Sequence, residues 1–109
     1  MTDRSRRIAE LNDRLRTSGQ GGMVVITNGV QARGEEFVQA AVAAVRAFAA
    51  FTADNDPHGE RDFGNVTVGG KKLFWKIDYF NETMDGGSED PADPEQTARV
   101  LTIMLASEY

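Results

Sequence analysis

From Lys72 to Phe80 the chain is written with a period of two. Leu73, Trp75, Ile77 and Tyr79 alternate with Lys72, Phe74, Lys76 and Asp78. That pattern specifies a β-strand, and such a strand is not stable alone, because its apolar row needs a neighbouring strand and a covering layer. The neighbour is written just upstream. Val66 and Val68 alternate with Asn65 and Thr67, and Gly69-Gly70 is a two-residue hairpin turn. Trp75 shares its row with Leu73, Ile77 and Tyr79, so it reads as a core residue rather than a ligand platform. On the other face Phe74 and Phe80 are apolar, while Lys76 and Asp78 keep the surface wet.

The covering layer is helical. Over residues 3–16, Ile8, Leu11 and Leu15 form a narrow apolar seam that buries little. Arg4, Arg6, Arg7, Arg14 and Arg16 make this helix the one basic patch. With no aromatic interleaved for base stacking, the patch reads as a solvated face rather than a nucleic-acid arm. The glycines of 18–22 read as a linker. A phosphate loop is rejected there, because it needs a strand before it and a helix with Lys-Ser/Thr after it. Met23–Thr27 is a β-branched run closed by the turn dipeptide Asn28-Gly29. Residues 35–52 give the longest predicted helix, with Phe37, Val38, Ala41, Val42, Val45, Phe48 and Phe51 on a broad stripe. Asp93-Pro94-Glu95-Gln96 reads as the capped start of a last helix that buries Val100, Leu101, Met104 and Leu105. The expected fold is α+β in the order α-β-α-β-β-α. It has a small antiparallel or mixed sheet of about three strands with helices on one face. Its parts are a basic amphipathic helix over 1–17, a Gly-rich linker over 18–22 and a single α+β domain over 23–109. The pairing partner of strand 23–27 stays open.

Length and composition fit one core. No apolar run approaches the ~20 residues of a membrane span, and no apolar segment follows the basic N-terminus as in a secretory signal. The chain has no cysteine, which removes disulfides and thiolate chemistry and fits a reducing cytoplasm. The net charge of -5 is uneven. Residues 1–53 hold seven arginines against five carboxylates, whereas residues 54–95 hold four cations against eleven carboxylates. Such an acidic half repels nucleic acid and suits cations, or a protein with a basic surface such as a nucleic-acid-binding protein.

Acidity concentrates in Asp54-Asn55-Asp56-Pro57-His58-Gly59-Glu60-Arg61-Asp62-Phe63-Gly64, which holds the only histidine. The segment follows the C-terminal end of a helical run, where carboxylates are unfavourable unless a cation or backbone donors compensate them. Three readings follow. Asp54, Asp56, Glu60 and Asp62 alternate as hard-cation ligands do and suit Ca²⁺ or Mg²⁺. An EF-hand is excluded, because His58 and Asn65 stand where ligands are needed and a strand follows. A metal-dependent hydrolase, or His58 acting as a base oriented by Asp56 or Asp62, is a second reading. It lacks a further ligand cluster or a nucleophile, so no catalytic residue is assigned. The third is partner binding through Asp54, Asp56, His58, Glu60 and Asp62, joined by Lys76 and Asp78 on the strand face. Against all three stands ordinary turn chemistry, in which the loop is purely structural.

The acidic segment, Phe74-Trp75-Lys76-Ile77-Asp78-Tyr79 and Val100-Leu101-Thr102-Ile103-Met104-Leu105-Ala106 resemble a family catalogued as domain of unknown function 3768. The resemblance covers roughly residues 22–109. It implies a bacterial intracellular protein often encoded on mobile DNA, and it implies no activity and no site residues. The functional expectation is therefore a small acidic protein that works by binding a basic protein partner.

Overall fold

The computed structural model describes residues 2–109. Helix α1 (Asp3–Ser18) is followed by strand β1 (Met23–Ile26), a short helix α2 (Asn28–Gln31) and helix α3 (Glu35–Ala47). Strands β2 (Phe63–Val68), β3 (Lys71–Phe80) and β4 (Ala98–Leu105) come next, and a 3₁₀ turn (Ala106–Glu108) closes the chain. The fold is α+β, with a mixed sheet of four strands in the order β1-β4-β3-β2.

The hairpin forms as written. β2 and β3 pair antiparallel from Val68 opposite Lys71 to Phe63 opposite Lys76. Gly69 (φ 54°) and Gly70 (φ 77°) both take the left-handed conformation that a two-residue turn of this twist demands. Leu73, Trp75 and Ile77 are buried beneath the helices, together with Leu101 and Ile103 of β4, Leu15 of α1, Val30 of α2 and Ala41 and Val45 of α3.

Three expectations need correction. The predicted last helix is strand β4. Its Leu101, Ile103 and Leu105 lie on the helix-covered face and Val100, Thr102 and Met104 on the other, in antiparallel register with β3. Asp93 does cap a turn, accepting from the Glu95 amide at 2.9 Å and from Gln96 Nε2 at 2.8 Å, but the turn does not propagate. The run that follows is buried on both faces, and such a run satisfies strand and helix patterns alike. The sheet accordingly has four strands rather than about three. β4 also supplies the missing partner of β1, which runs parallel to it from Met23 opposite Val100 to Ile26 opposite Ile103. Finally, α3 ends at Ala47 instead of 52. Phe48 is already extended, and Phe48 and Phe51 fold back edge-on to Trp75 at ring-centroid distances of 5.5 and 6.0 Å.

Helix α1 packs into the core despite its narrow seam. Ile8 and Leu15 are fully buried, and two polar residues of the same helix, Asn12 and Arg16, are buried beside them. Thr2 caps its start by accepting from the Ser5 amide, and Gly19 (φ 76°) closes its end. At the far end of the sheet the Glu108 carboxylate accepts from the Leu105 amide, Thr27 Oγ1 and the Gly29 amide. Those donors hold its pKa below the usual carboxylate range and tie the end of β4 to the β1–α2 junction.

Candidate functional site

The acidic loop is positioned by the start of β2. The Ile77 amide donates to the Asp62 carbonyl at 2.8 Å, extending the β2–β3 ladder one step, and Glu60 lies within hydrogen-bond reach of Tyr79. Gly64 lets the chain turn in close to the core, since a Cβ there would lie 2.6 Å from Trp75 Nε1.

A polar network joins the loop to α1, β3 and β4. Asn12 donates through Nδ2 to the Glu60 carbonyl (2.9 Å) and to Tyr79 Oη (2.8 Å). Its Oδ1 accepts from Arg99 Nε at 2.8 Å. The Tyr79 hydroxyl donates to Glu60 Oε1 at 2.9 Å. Arg99, itself buried, lies 5.2 Å from the Tyr79 ring centroid and donates to the Pro91 carbonyl. Burial raises the Tyr79 pKa far above its ordinary value and lowers that of Arg99, which remains a cation.

A second group sits alongside. Arg16 Nη1 donates to the carbonyls of Val45, Arg46 and Phe48 at 2.7–3.2 Å where α3 ends; the Phe48 amide also donates to Val45, so the Arg46 and Phe48 carbonyls depend on Arg16. Its Nη2 meets Asp13 Oδ1 at 3.1 Å, and its guanidinium stands 5.4 Å from the ring centroids of both Phe51 and Trp75. The other Asp13 oxygen accepts from Arg61 Nη1 at 3.0 Å. Arg61 has a left-handed backbone (φ 56°), held by its amide donating to Asp56 Oδ1 at 3.0 Å. Arg16 Nε and Trp75 Nε1 are buried donors with no partner among the described residues.

The candidate residues from the sequence are therefore dispersed. Asp54 and His58 are exposed and make no hydrogen bond or ion pair among the described residues. Asp56 is bound to the Arg61 amide and Glu60 to Tyr79. Asp62 is half-buried. Lys76 and Asp78 lie on the open face of the sheet and pair with each other at 2.6 Å. Among the described residues no three carboxylates or histidines come together in a way that could hold a cation. The sequence reading missed Asn12, Arg16 and Arg99. A signal existed, because Asn12 falls four residues after Ile8 and three before Leu15, on the inward face of the helix.

Burial raises the Asp62 pKa, and the nearby charges of Glu60 and Asp56 add to the rise. A raised carboxyl pKa means that ionised Asp62 opposes folding at neutral pH. That cost disappears as pH falls through its folded pKa. Asp62→Asn should therefore melt higher than wild type at pH 7, and the difference should shrink towards zero on acidification; thermal melts across pH check it. A variant less stable at pH 7 would show that Asp62 makes a favourable contact.

The second acidic segment, 81–97, connects β3 to β4 at the same end of the sheet. It carries Glu82, Asp85, Glu89, Asp90, Asp93 and Glu95 and no lysine or arginine. The Ser88 amide donates to the Tyr79 carbonyl, so the loop starts beside the residue that binds Glu60. The loop is ordered by its own side chains. Asp85 Oδ1 accepts from Asn81 Nδ2 and Thr83 Oγ1, and these bonds lower its pKa. Gln96 and the Glu95 amide do the same for Asp93. Asp90 pairs with Arg4 at 3.4 Å. Glu82, Glu89 and Glu95 have no ion-pair or hydrogen-bond partner for their carboxylates among the described residues. Glu82 and Glu89 line a cleft of about 230 Å³ with Asn81, Gly87 and Gln96.

The family described as "Protein of unknown function (DUF3768)" matches residues 26–108. The chain belongs to this family. The matched segment contains Glu60, Tyr79, Arg99 and both acidic loops, while Asn12 and Arg16 come from the helix that precedes it. In this chain a helix outside the matched segment reaches into its polar centre through Asn12. No curated protein and no solved structure matches the chain. No helix among the described residues is long and apolar enough to cross a membrane.

Proposed function

We propose that this protein is a binding module that offers the acidic end of its sheet to a protein partner with a basic surface. The supporting observation is that two acidic segments, 54–62 and 81–97, both attach to Tyr79 at one end of the sheet, through Glu60 and Ser88, with Glu82, Glu89, Glu95 and Asp54 unpaired with a cation among the described residues. Opposed fields of this kind speed association and select partners by sign. The hydrogen bonds of Asp85, Asp90 and Asp93 order the loop that carries Glu82, Glu89 and Glu95 before a partner arrives, which lowers the ordering cost of binding. Asp54, Asp56, His58, Glu60 and Asp62 flank this surface, and Lys76 and Asp78 border it on the open face.

The test uses the triple variant Glu82→Gln, Glu89→Gln, Glu95→Gln, which removes three charges and no contact within the fold. Immobilised wild-type protein should retain basic proteins from lysate at low salt and release them at high salt, and the triple variant should retain them poorly. Equal capture by both proteins, or no capture at low salt, contradicts the proposal.

A further inference from the structure

The outer edge of β1 is unlike the rest of the surface. Residues 17–32 carry no charge, in a chain whose charged fraction is 27%. Within that stretch Met23, Val24 and Val25 are 51%, 39% and 37% exposed. β1 ends the sheet and pairs only with β4. The Thr27 amide donates to Ile103 across that pair, so by strand alternation the backbone groups of Met23 and Val25 also face β4. Those of Val24 and Ile26 then face outward. The Ile26 carbonyl is occupied by Gln31 Nε2 at 2.7 Å, whereas the Val24 N–H and C=O have no outward partner among the described residues. Exposed edges are normally blocked by a charge, a proline or a bulge, and β1 has none of these.

We propose that this edge joins two copies of the chain, with β1 antiparallel to its mate and Val24 facing Val24 across a two-fold axis. Each Val24 N–H then donates to the other Val24 C=O. The same register sets Met23 opposite the mate's Val25, on both sides of the axis and on the open face of the sheet. The edge is thus self-complementary in backbone bonds and in apolar side chains, as an isologous contact requires. Charge selects the occupant. A molecule of net charge -5 repels its own copy over most of its surface and least along the uncharged 17–32 stretch, beside which Arg46 of α3 is a cation rather than a carboxylate. A basic partner gains nothing at this edge. The result is a continuous eight-stranded sheet. A four-residue contact is small beside a standard interface, so the dimer is concentration-dependent.

Sedimentation equilibrium from low micromolar to near-millimolar protein tests this. The wild-type chain should shift from monomer to dimer across that range. Val24→Pro removes only the outward N–H and should weaken dimerisation by ~10-fold or more while leaving the β1–β4 ladder intact. Should that variant fail to fold, Val25→Lys sets a charge in the apolar row without touching the ladder, and it should weaken the dimer similarly. In a chain without cysteine, Val24→Cys should form a covalent dimer on mild oxidation, since Cα atoms in such a pair lie ~5.5 Å apart. Monomer at every concentration overturns the proposal, as does a dimer that both Val24→Pro and Val25→Lys leave unweakened. An edge that captures a foreign β-strand peptide but not its own copy also overturns it.

Discussion

Asn12→Ala is expected to lower the unfolding free energy by about 3 kcal/mol, a large share of the ~5–15 kcal/mol typical of a domain. Asn12 is fully buried, and all three of its hydrogen bonds go to groups far away in the chain. Its loss orphans Arg99 Nε, a donor on a buried cation, and the Glu60 carbonyl. A buried group left without its partner pays its full desolvation cost, which is larger for a charged donor. The Tyr79–Glu60 bond survives, so the loop is weakened at its base rather than released. Urea unfolding should show a lower midpoint with little change in slope, and the melting temperature should fall by roughly 12 °C or more. A drop below about 1 kcal/mol would mean that water or a side-chain shift satisfies Arg99 once Asn12 is gone.

Arg16→Ala is expected to cost a similar amount, about 3–4 kcal/mol. One guanidinium nitrogen satisfies three carbonyls where α3 ends, the other binds Asp13, and the flat group fills the space between Phe51 and Trp75. Truncation leaves the Arg46 and Phe48 carbonyls without a donor, Val45 keeping the Phe48 amide, and opens a gap beside the largest core side chain. Arg16→Lys separates geometry from charge. An ammonium lacks the planar fork that reaches carbonyls and carboxylate together while lying between two rings, so lysine should recover less than half of the loss. The readout is again the urea midpoint. Full recovery by lysine would assign the stabilisation to charge alone.

Both predictions concern residues whose inward placement could be read locally, from the spacing of Asn12 and Arg16 along α1, but whose distant partners could not. The β2–β3 hairpin was legible because its information is local, with alternation on both sides of Gly69-Gly70. Trp75 was legible for the same reason. The segment 93–105 was not. Its Asp93-Pro94 turn is a sound helix start, and the run from Val100 to Leu105 fits either period. What decides for a strand is β1, some 75 residues upstream, which pairs parallel along its free edge. The same non-locality hid β1's partner. At the acidic loop, turn chemistry was readable in outline, and Asp56 does bind a nearby amide. The partners of Glu60 were not readable, because Tyr79 is 19 residues away and Asn12 reaches the Glu60 carbonyl from 48 residues away. The Asn12–Arg99 bond spans 87 residues. Charge segregation was visible in the sequence, but that 54–62 and 81–97 share one end of the sheet follows from the strand register alone.

The proposed role of that end is tested most directly by measuring affinity for one arginine- and lysine-rich peptide across a range of salt concentrations. Four proteins are compared: wild type, the triple glutamine variant of 81–97, an Asp54→Asn, Asp62→Asn variant of 54–62, and the combination. Wild type should bind with an affinity that falls steeply with salt, each neutralised set should weaken binding and flatten that dependence, and the combined variant should lose both. Four proteins that bind alike, with the same dependence on salt, would contradict a shared acidic surface.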